Sequence, residues 1–177
     1  MTTITDPSDR AQPPLAAGEA ETLVALLASQ RDTIRWKCSG LTAEQLAYQH
    51  APSVLSLGGL LKHLAVVEAG WVNLTFAGGI EPPSWLSQWD REDDDWTFKT
   101  AAADTPEQLF AWLDESQAVT ERILADVPDL GTLSQNTSDD GDQYSLRWIL
   151  LHLVQEYGRH LGHADLIREA VDGAVGE

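Results

Sequence analysis

Three of the five histidines in this 177-residue sequence lie close together around one glutamate. His152, Glu156, His160 and His163 follow one another at intervals of four, four and three residues. Imidazole nitrogens and carboxylate oxygens are the usual ligands of zinc and of several related divalent metals. Because side chains three and four residues apart lie on the same side of a helix, the pattern is typical either of a solvated polar stripe or of a metal site.

The apolar residues of the same helix distinguish these two interpretations. At about 100° per residue, the four polar side chains span about 80° of the helix circumference. Ile149, Leu153 and Ile167 fall on or beside the same arc, whereas Glu169 lies on the opposite side. The apolar side of such a helix faces the protein interior. Since an interior carboxylate is costly unless it is paired, protonated or bound to a metal, the position of Glu156 argues against a solvated stripe.

A second helix supplies a matching side chain. His63 lies in the middle of an apolar helical face, between Leu60 and Val67. A single histidine in that position is more often a hydrogen-bonded core residue than a metal ligand. Here, however, two helices each place imidazole on a buried face, and one of them adds a carboxylate. The interiors of helical bundles are common locations for metal sites built from facing helices.

The spacing alone leaves the choice of ligands open. Glu156 and His160 are four residues apart, so their ends are adjacent and can bind one ion. His152 also lies one turn from Glu156, and His163 shares the same arc. One more ligand from another helix, His63, gives three protein ligands and an open position, which is the pattern of a catalytic zinc site.

Four long helical patterns position these residues, at about residues 18–38, 57–77, 105–127 and 145–171. Thr42 with Gln45, and Thr105 with Gln108, form the capping-box signature that starts a helix, the first of them for a short helical turn. Pro128 is predicted to end the third pattern. No segment shows convincing strand alternation, so the sequence predicts an all-α fold, with a four-helix bundle as the leading architecture.

Two of the connections are long. Residues 79–104 show neither helical nor strand periodicity, and they carry Trp85, Trp89 and Trp96. Irregular loops of that length in compact domains are usually functional, and the tryptophans predict a segment that wraps the bundle or covers it as a lid. The connection "SQNTSDDGDQ" is predicted to be a polar, turn-rich loop.

The composition restricts the function classes. Eleven Lys and Arg against 28 Asp and Glu give a net charge of −17, which disfavours nucleic acids and anionic membranes as partners. No apolar run is long enough to predict a membrane span, and the polar N-terminus is unlike a secretory signal. The one cysteine, Cys38, excludes an internal disulfide, suits the cytoplasm and is interpreted as a packing residue. We expect a flexible N-terminal arm over residues 1–17 and a single domain over residues 18–177.

Two segments carry a resemblance to a known family. "LSLGGLLKHLAVVE" and "LRWILLHLVQEYGRHLGHADLIREAVDG" resemble the two signature helices of the DinB-like (YfiT-like) superfamily. The branch that they resemble contains the mycothiol S-transferases and mycothiol-dependent maleylpyruvate isomerase, and "RWKCSGL" and "DDDWTF" are similar to the S-transferases in particular. The resemblance extends from about Glu19 to Gly176. It implies a DinB-like four-helix bundle with a long irregular loop between helices 2 and 3.

The resemblance also selects among the candidate ligands. It implies a divalent metal held by one histidine of the second long helix and by two residues, four apart, on the fourth. These correspond to His63, Glu156 and His160. His163 is then expected beside the ligands or on the substrate side, and His152 in the core or lining a cavity.

The implied activity is the transfer of a low-molecular-weight thiol, as in detoxification. Zinc suits a ligand set of two histidines and one glutamate best, with nickel, manganese and iron as the other candidates. The metal would hold mycothiol, or a related thiol such as bacillithiol, as the thiolate for attack on an electrophilic substrate. No protein nucleophile is then required. Tyr157, Arg159 and Arg168 flank the site and are candidates for substrate contact. Family bundles are often dimers, so a homodimer is a further expectation.

Three other interpretations stay open. A non-catalytic, stress-associated metal-binding bundle would carry the same ligands. A thiol-dependent isomerase of the maleylpyruvate type would share the site and the cofactor. That class usually has an additional C-terminal domain with a basic substrate-binding residue, whereas this sequence ends at Glu177, just after the fourth helix. A protein-binding module is supported only by the Trp-rich acidic stretch.

Overall fold

Helices account for most of the residues that the computed structural model describes, which are 6–127 and 129–176. The α-helices are α1 (Glu19–Cys38), α2 (Ala43–Ala47), α3 (Leu57–Glu68), α4 (Trp96–Thr100), α5 (Pro106–Ala125) and α6 (Leu146–Asp172). A π-helical segment, Ala69–Phe76, continues α3, and short 3-10 helices lie at Pro7–Asp9, Ser84–Gln88 and Ala101–Ala103. Two strands, β1 (Leu133–Thr137) and β2 (Gln143–Ser145), form a hairpin. The predicted all-α class therefore holds for these residues apart from the hairpin. None of the described helices has the length and apolar character needed to cross a bilayer.

The long helices begin and end where local signals predict. The hydroxyls of Thr42 and Thr105 accept the backbone N–H three residues later, and the glutamines there complete both predicted capping boxes. Ser145 caps α6 by accepting a backbone N–H of its first turn. Gly173 follows α6 with φ 79°, in the left-handed region that glycine enters without strain. Pro128, predicted to end α5, lies outside the described residues.

The core lies between the long helices. α1 packs mainly against α6, and α3 packs mainly against α5 and also against α6. Leucines from each of these helices are almost completely buried, among them Leu27, Leu60, Leu64, Leu113 and Leu153. Burial of each such side chain stabilises the fold by about 1.5–3 kcal/mol relative to leaving it exposed. The contact of α3 with α6 matters most for function, because it brings the inner faces of these two helices together.

The start of α3 is crowded by two neighbours. A Cβ on Gly58 would lie 3.2 Å from the backbone oxygen of Leu46, and one on Gly59 would lie 2.7 Å from the ring of Phe98. Glycine therefore lets α2 and α4 approach α3 this closely, although each glycine costs about 1 kcal/mol in a helix. The close approach brings the Phe98 ring against the next turn of α3.

The second half of the predicted helix 57–77 is not α-helical. Beyond Glu68 the hydrogen bonds span five residues, as in the 3.0 Å bond from the N–H of Ala77 to the carbonyl of Val72. The prediction of an uninterrupted α-helix is wrong here. π-helical turns occur frequently at functional sites, and this one lies directly after the turns that carry His63.

The stretch predicted to be irregular, residues 79–104, contains short helices, so that prediction is wrong in part. Trp85 stacks on Trp112 of α5 with ring centroids 5.0 Å apart. The ring of Trp96 lies 4.1 Å from Nζ of Lys62, a buried lysine of α3. The tryptophans thus hold the stretch against α3 and α5, which agrees with the predicted wrap.

The connection predicted to be a loop forms the β1–β2 hairpin. Its two strands are antiparallel, with an irregular register. The strands are polar, and Ser134 is the one buried residue of β1, so the sequence lacks the alternation that indicates a strand. The Asn136 amide donates to the carbonyl of Leu74 at 2.8 Å and joins the hairpin to the π-helical segment.

Part of the predicted N-terminal arm contacts α1. The N–H of Ala11 donates to Asp32 at 2.7 Å, and the guanidinium of Arg10 lies 5.0 Å from the ring of Trp36. The first part of the arm, residues 1–5, lies outside the described residues.

Candidate metal centre

Three of the predicted ligands come together between α3 and α6. Nε2 of His63 lies 3.6 Å from Oε2 of Glu156, and Nε2 of His160 lies 3.5 Å from the same oxygen. The ligand atoms of all three residues lie within 4.8 Å of one another. Two imidazole nitrogens and one carboxylate oxygen are therefore close enough to bind a single divalent cation.

Helix geometry and ring packing place each of these side chains. Glu156 and His160 are one turn apart on α6, so their ends are neighbours. His63 lies one turn after Gly59 on α3, and the ring of Phe98 stacks on it with centroids 5.4 Å apart. The rings of His63 and His160 meet edge to face at 4.6 Å. These contacts restrict the rotation of both imidazoles and so pre-organise their nitrogens.

One buried ligand atom of this group lacks an ordinary partner. The Nε2 atom of His63 is buried and has no hydrogen-bond partner among the described residues. Its separation of 3.6 Å from Glu156 is too long for a hydrogen bond. Within the described part of the chain, the ion pairs of Glu156 are with histidines and none is with a lysine or arginine. An unsatisfied buried polar atom costs about 1–3 kcal/mol, and a bound cation would satisfy all three side chains at once.

Burial keeps both imidazoles uncharged at neutral pH. Desolvation is the largest influence on His63 and lowers its pKa, although Glu156 opposes that shift. Desolvation, followed by repulsion from His63, lowers the pKa of His160 to about 4. Neutral imidazole has a free lone pair and is the form that binds metals.

His163 contacts the nitrogen of His160 that does not face the carboxylate. The Nδ1 atoms of the two rings are 3.3 Å apart, whereas Nε2 is the atom of His160 near Glu156. A hydrogen bond between two Nδ1 atoms requires that one of them carry the proton. When His160 is the donor, its Nε2 keeps a lone pair on the side of Glu156, which is how neighbours orient metal-binding histidines.

His152 lies in an aromatic cluster beside the group. Its ring stacks on Trp148 with centroids 5.0 Å apart and meets the edge of Trp71 at 4.7 Å. Tyr144 completes the cluster, 5.1 Å from Trp71. Nε2 of His152 is 4.0 Å from Oε1 of Glu156, further than either of the other histidines. His152 is therefore not one of the residues that the structure brings within reach of one ion.

The remaining candidates on α6 point in different directions. Tyr157 is buried, and its hydroxyl donates to Glu68. One residue along a helix is a rotation of about 100°, which turns Tyr157 away from the neighbouring Glu156. Arg168 donates to a backbone carbonyl of α1 at 2.8 Å, so the structure brings neither residue to the group. Arg159 is exposed, and its positive charge contributes to the lowered pKa of both imidazoles.

A cleft of about 450 Å³ begins at His63 and extends along the π-helical segment. We call it the α3 cleft. Its walls include Trp71, Trp89, Thr97 and Asn136, which come from four different parts of the chain. The sequence assigned none of these four residues to a site, because only the packing of α4, the hairpin and the π-helical segment brings them together.

Phe98 is the residue at the centre that sequence reasoning missed. It lies outside the helices that carry the ligands, yet its ring covers one face of His63. Gly59 was the available signal, since a glycine inside an apolar helix often marks the close approach of another chain segment.

The sequence matches a known family over most of its length. The family model described as Mycothiol-S-transferase matches residues 22–173, a range that contains the three clustered side chains. No curated protein matches the sequence. A solved structure, described as that of a conserved protein from Enterococcus faecalis, is 19% identical and has a TM-score of 0.70. The alignment covers 90% of this chain and 100% of that one, and at this identity the likeness supports the fold alone.

Proposed function

This chain belongs to the mycothiol S-transferase family, within the DinB-like superfamily, and from that membership and the geometry of the centre we propose that it is a metal-dependent S-transferase. The enzyme joins a low-molecular-weight thiol, mycothiol or a related thiol, to an electrophilic carbon of a second substrate. The observation that carries the proposal is the convergence of His63, Glu156 and His160 around a buried imidazole nitrogen that has no partner of its own among the described residues.

The three side chains fit a divalent metal. Two neutral imidazoles and one carboxylate are donors that zinc prefers, and three protein ligands leave the fourth position of a tetrahedral ion open. We assign zinc to the centre, while nickel, manganese and iron use the same types of donor. A divalent ion with one anionic protein ligand keeps a positive charge, which lowers the pKa of a thiol that binds it.

The residues around the ligands hold them in the required state. His163 accepts the Nδ1 proton of His160 and so keeps the lone pair of Nε2 available. The ring of Phe98 stacks on His63, and Trp71 meets the ring of His152 edge to face, so aromatic contacts restrict the rotation of both imidazoles.

In the transfer, the sulfur of the thiolate supplies the electron pair of the new S–C bond, and the proton of the thiol passes to solvent. In a substitution, the leaving group departs with the electron pair of the bond that breaks. In an addition to a double bond, the displaced electron pair takes up a proton. Cys38 takes no part, because it is fully buried and desolvation raises its pKa to about 12.

Further expectations accompany this proposal. The four long helical segments form a DinB-like bundle that constitutes one domain over residues 18–177, an arrangement supported by the likeness in fold to the Enterococcus faecalis protein. We place the enzyme in the cytoplasm, in detoxification, and expect a homodimer.

An assay with mycothiol and monochlorobimane tests the proposal. The metal-loaded protein should form the fluorescent conjugate, and treatment with a chelator should abolish its formation. The double variant His63→Ala, Glu156→Ala should contain no metal and form no conjugate. The control is His50→Ala, since His50 is exposed and lies outside the centre, and it should match the wild type.

Other outcomes identify the alternatives. A metal-replete protein that is inert with several thiols and electrophiles would indicate a non-catalytic metal-binding protein. Turnover of maleylpyruvate in the presence of mycothiol, without conjugate formation, would indicate the isomerase.

A further inference from the structure

Most of the cations of this chain already have partners. The chain carries 11 Lys and Arg against 28 Asp and Glu, and each of its lysines pairs with an aspartate. The arginines that pair with carboxylates are Arg31, Arg35, Arg147 and Arg168. Arg159 of α6 differs, because it has no hydrogen bond, ion pair or cation–π contact with any residue that the structure describes. In a chain with such an excess of carboxylates, this guanidinium is left available to an external anion.

The position of Arg159 relates it to the metal centre. Arg159 directly precedes His160 and is exposed, because a rotation of about 100° along α6 turns it from the inner face toward solvent. Its positive charge nevertheless acts on His63, which belongs to α3, as well as on His160, and lowers the pKa of both. Charge interactions weaken with distance, so the guanidinium lies near the ligands of both helices, at the solvent side of the centre.

Small and neutral residues surround Arg159 on the outer side of α6. Gly162 is exposed, and an added Cβ there would meet no atom within 4 Å. Gly158 is also exposed, and the neighbour of an added Cβ there would be the amide of Gln30, at 3.3 Å. Gln155, one turn before Arg159, is exposed and uncharged. An anionic group therefore has open space beside the guanidinium and meets no carboxylate among these neighbours.

The chemistry of the guanidinium indicates which anion fits. Its planar N–H donors match the two oxygens of a carboxylate. The rest of a chain of net charge −17 repels anions, so a local cation is needed for a carboxylate to approach the centre. A single exposed ion pair contributes little between free molecules. Its effect is larger for a substrate that is already held at the metal centre, since the cost of positioning that substrate has been met there.

We propose that Arg159 binds a carboxylate of the electrophilic substrate and that the enzyme therefore prefers electrophiles with a carboxylate close to the reacting carbon. α-Halo acids and α,β-unsaturated acids belong to this class. With an α-halo acid, the thiolate sulfur supplies the electron pair of the new S–C bond. The halide leaves with the electron pair of the carbon–halogen bond, and the proton of the thiol passes to solvent. This inference rests on the proposed function, since it assumes that the electrophile reacts at the metal centre.

Iodoacetate and iodoacetamide test the preference, because they have nearly the same shape and differ in charge. The measured quantity is the ratio of kcat/KM for iodoacetate to that for iodoacetamide, with mycothiol as the thiol and after subtraction of the uncatalysed rate. Arg159→Gln should lower this ratio by at least about tenfold, and Arg159→Lys, which keeps the charge, should recover part of it. The control Arg122→Gln changes an exposed arginine of α5 outside the centre and should keep the wild-type ratio. An unchanged ratio in Arg159→Gln would overturn the proposal.

Equilibrium binding tests Arg159 without turnover. The two conjugates, S-carboxymethyl mycothiol and S-carbamoylmethyl mycothiol, differ only in a carboxylate and an amide. Calorimetry should show that the metal-loaded wild type binds the first at least about tenfold more tightly, and that Arg159→Gln loses most of this difference. An equal preference in Arg159→Gln would assign the carboxylate to the metal instead and overturn the proposal. Since Arg159 has no partner within the described part of the chain, its replacement should leave the free energy of unfolding unchanged.

These measurements also separate the inference from the proposed function. Conjugation of monochlorobimane and iodoacetamide without any Arg159-dependent preference for iodoacetate would retain the S-transferase function and overturn the inference. Arg159-dependent binding of S-carboxymethyl mycothiol by a metal-loaded protein that forms no conjugate would support the carboxylate site and reject the function.

Discussion

Two glutamates that lie between the long helices, Glu68 fully buried and Glu156 half-buried, have opposite surroundings. Glu68 of α3 is fully buried and accepts two hydrogen bonds from Arg31, at 2.9 and 2.5 Å, and a third from the hydroxyl of Tyr157. Glu156 of α6 has three histidines at 3.5 to 4.0 Å and no lysine or arginine partner within the described part of the chain. The fold satisfies the first carboxylate completely and leaves the second incomplete.

The difference separates a structural carboxylate from one that requires a ligand. Arg31 supplies a full positive charge and two donors in the geometry that a carboxylate matches best, so Glu68 needs nothing from outside the protein. The imidazoles of His63 and His160, whose pKa values burial lowers, are uncharged at neutral pH and do not neutralise Glu156. Helix α6 contributes to both sites, because Tyr157, whose hydroxyl donates a hydrogen bond to Glu68, directly follows Glu156.

Glu68→Ala should have the largest effect on folding. It leaves the buried guanidinium of Arg31 without its main partner, and breaking such a pair costs about 3–5 kcal/mol in the free energy of unfolding. Urea denaturation measures the loss. The matched control is Glu121→Ala. The carboxylate of Glu121 also lies 3.3 Å from Arg31, but the Glu121 side chain is 70% exposed. Its removal should lower the free energy of unfolding by less than about 1 kcal/mol. Equal losses in the two variants would contradict the comparison.

Glu156→Gln should have the opposite effects, a large loss of zinc affinity and little change in the free energy of unfolding. The amide keeps the shape of the side chain and removes the only charged ligand, so the affinity for zinc should fall by more than about 100-fold. The metal-free variant should retain the wild-type free energy of unfolding within about 1 kcal/mol, since no ion pair with a lysine or arginine is broken. Metal analysis and denaturation of the chelator-treated proteins measure both quantities. A large loss of stability without metal would make Glu156 a structural residue like Glu68.

His163→Ala should weaken metal binding without abolishing it. Loss of a residue that orients a ligand typically costs about 10–100-fold in metal affinity, and competition with a chromophoric chelator measures this range. His163→Gln, which can still accept the Nδ1 proton of His160, should retain most of the affinity. Complete loss of the metal in His163→Ala would instead make His163 a ligand.

Lowering the pH from 7 to 5 should destabilise the metal-free protein modestly. The pKa of His160 is about 4 in the folded state and about 6.5 in the unfolded chain, so the unfolded state binds the extra proton first. The stability is therefore present above about pH 6.5 and is lost as the pH falls toward 4, by about 1–2 kcal/mol between pH 7 and 5. Denaturation at several pH values measures the slope, and His160→Gln should flatten it. An identical slope in that variant would assign the pH dependence to other groups.

The parts of the structure that depend on local sequence were predictable. Thr42 and Thr105 start their helices through hydrogen bonds that span three residues, so the signal and its effect lie in the same few residues. Helical periodicity placed Glu156 on the arc of the core residues, and the structure has it half-buried beside them. The same reasoning placed His63 on a buried face, and the structure brings the two residues together.

The parts that depend on which surfaces meet were not predictable. Nothing near Tyr157 in the sequence indicates that its partner is Glu68, nearly ninety residues earlier. The hairpin was not predicted because its strands lack the alternation of apolar and polar residues, and Ser134 is the one buried position of β1. Phe98 covers His63 only because Gly59 leaves room for it. A glycine in the sequence does not indicate which residue fills the space beside it.

The π-helical segment has a consequence for the evolution of chain length in this protein. Its hydrogen bonds enclose one more residue than those of an α-helical turn, as a single inserted residue would produce. The wide turns absorb that residue, so the chain after Phe76 keeps the direction that a regular α-helix shorter by one residue would give it. We therefore expect homologues to include chains shorter by one residue within Ala69–Phe76, in which α3 continues as a regular α-helix.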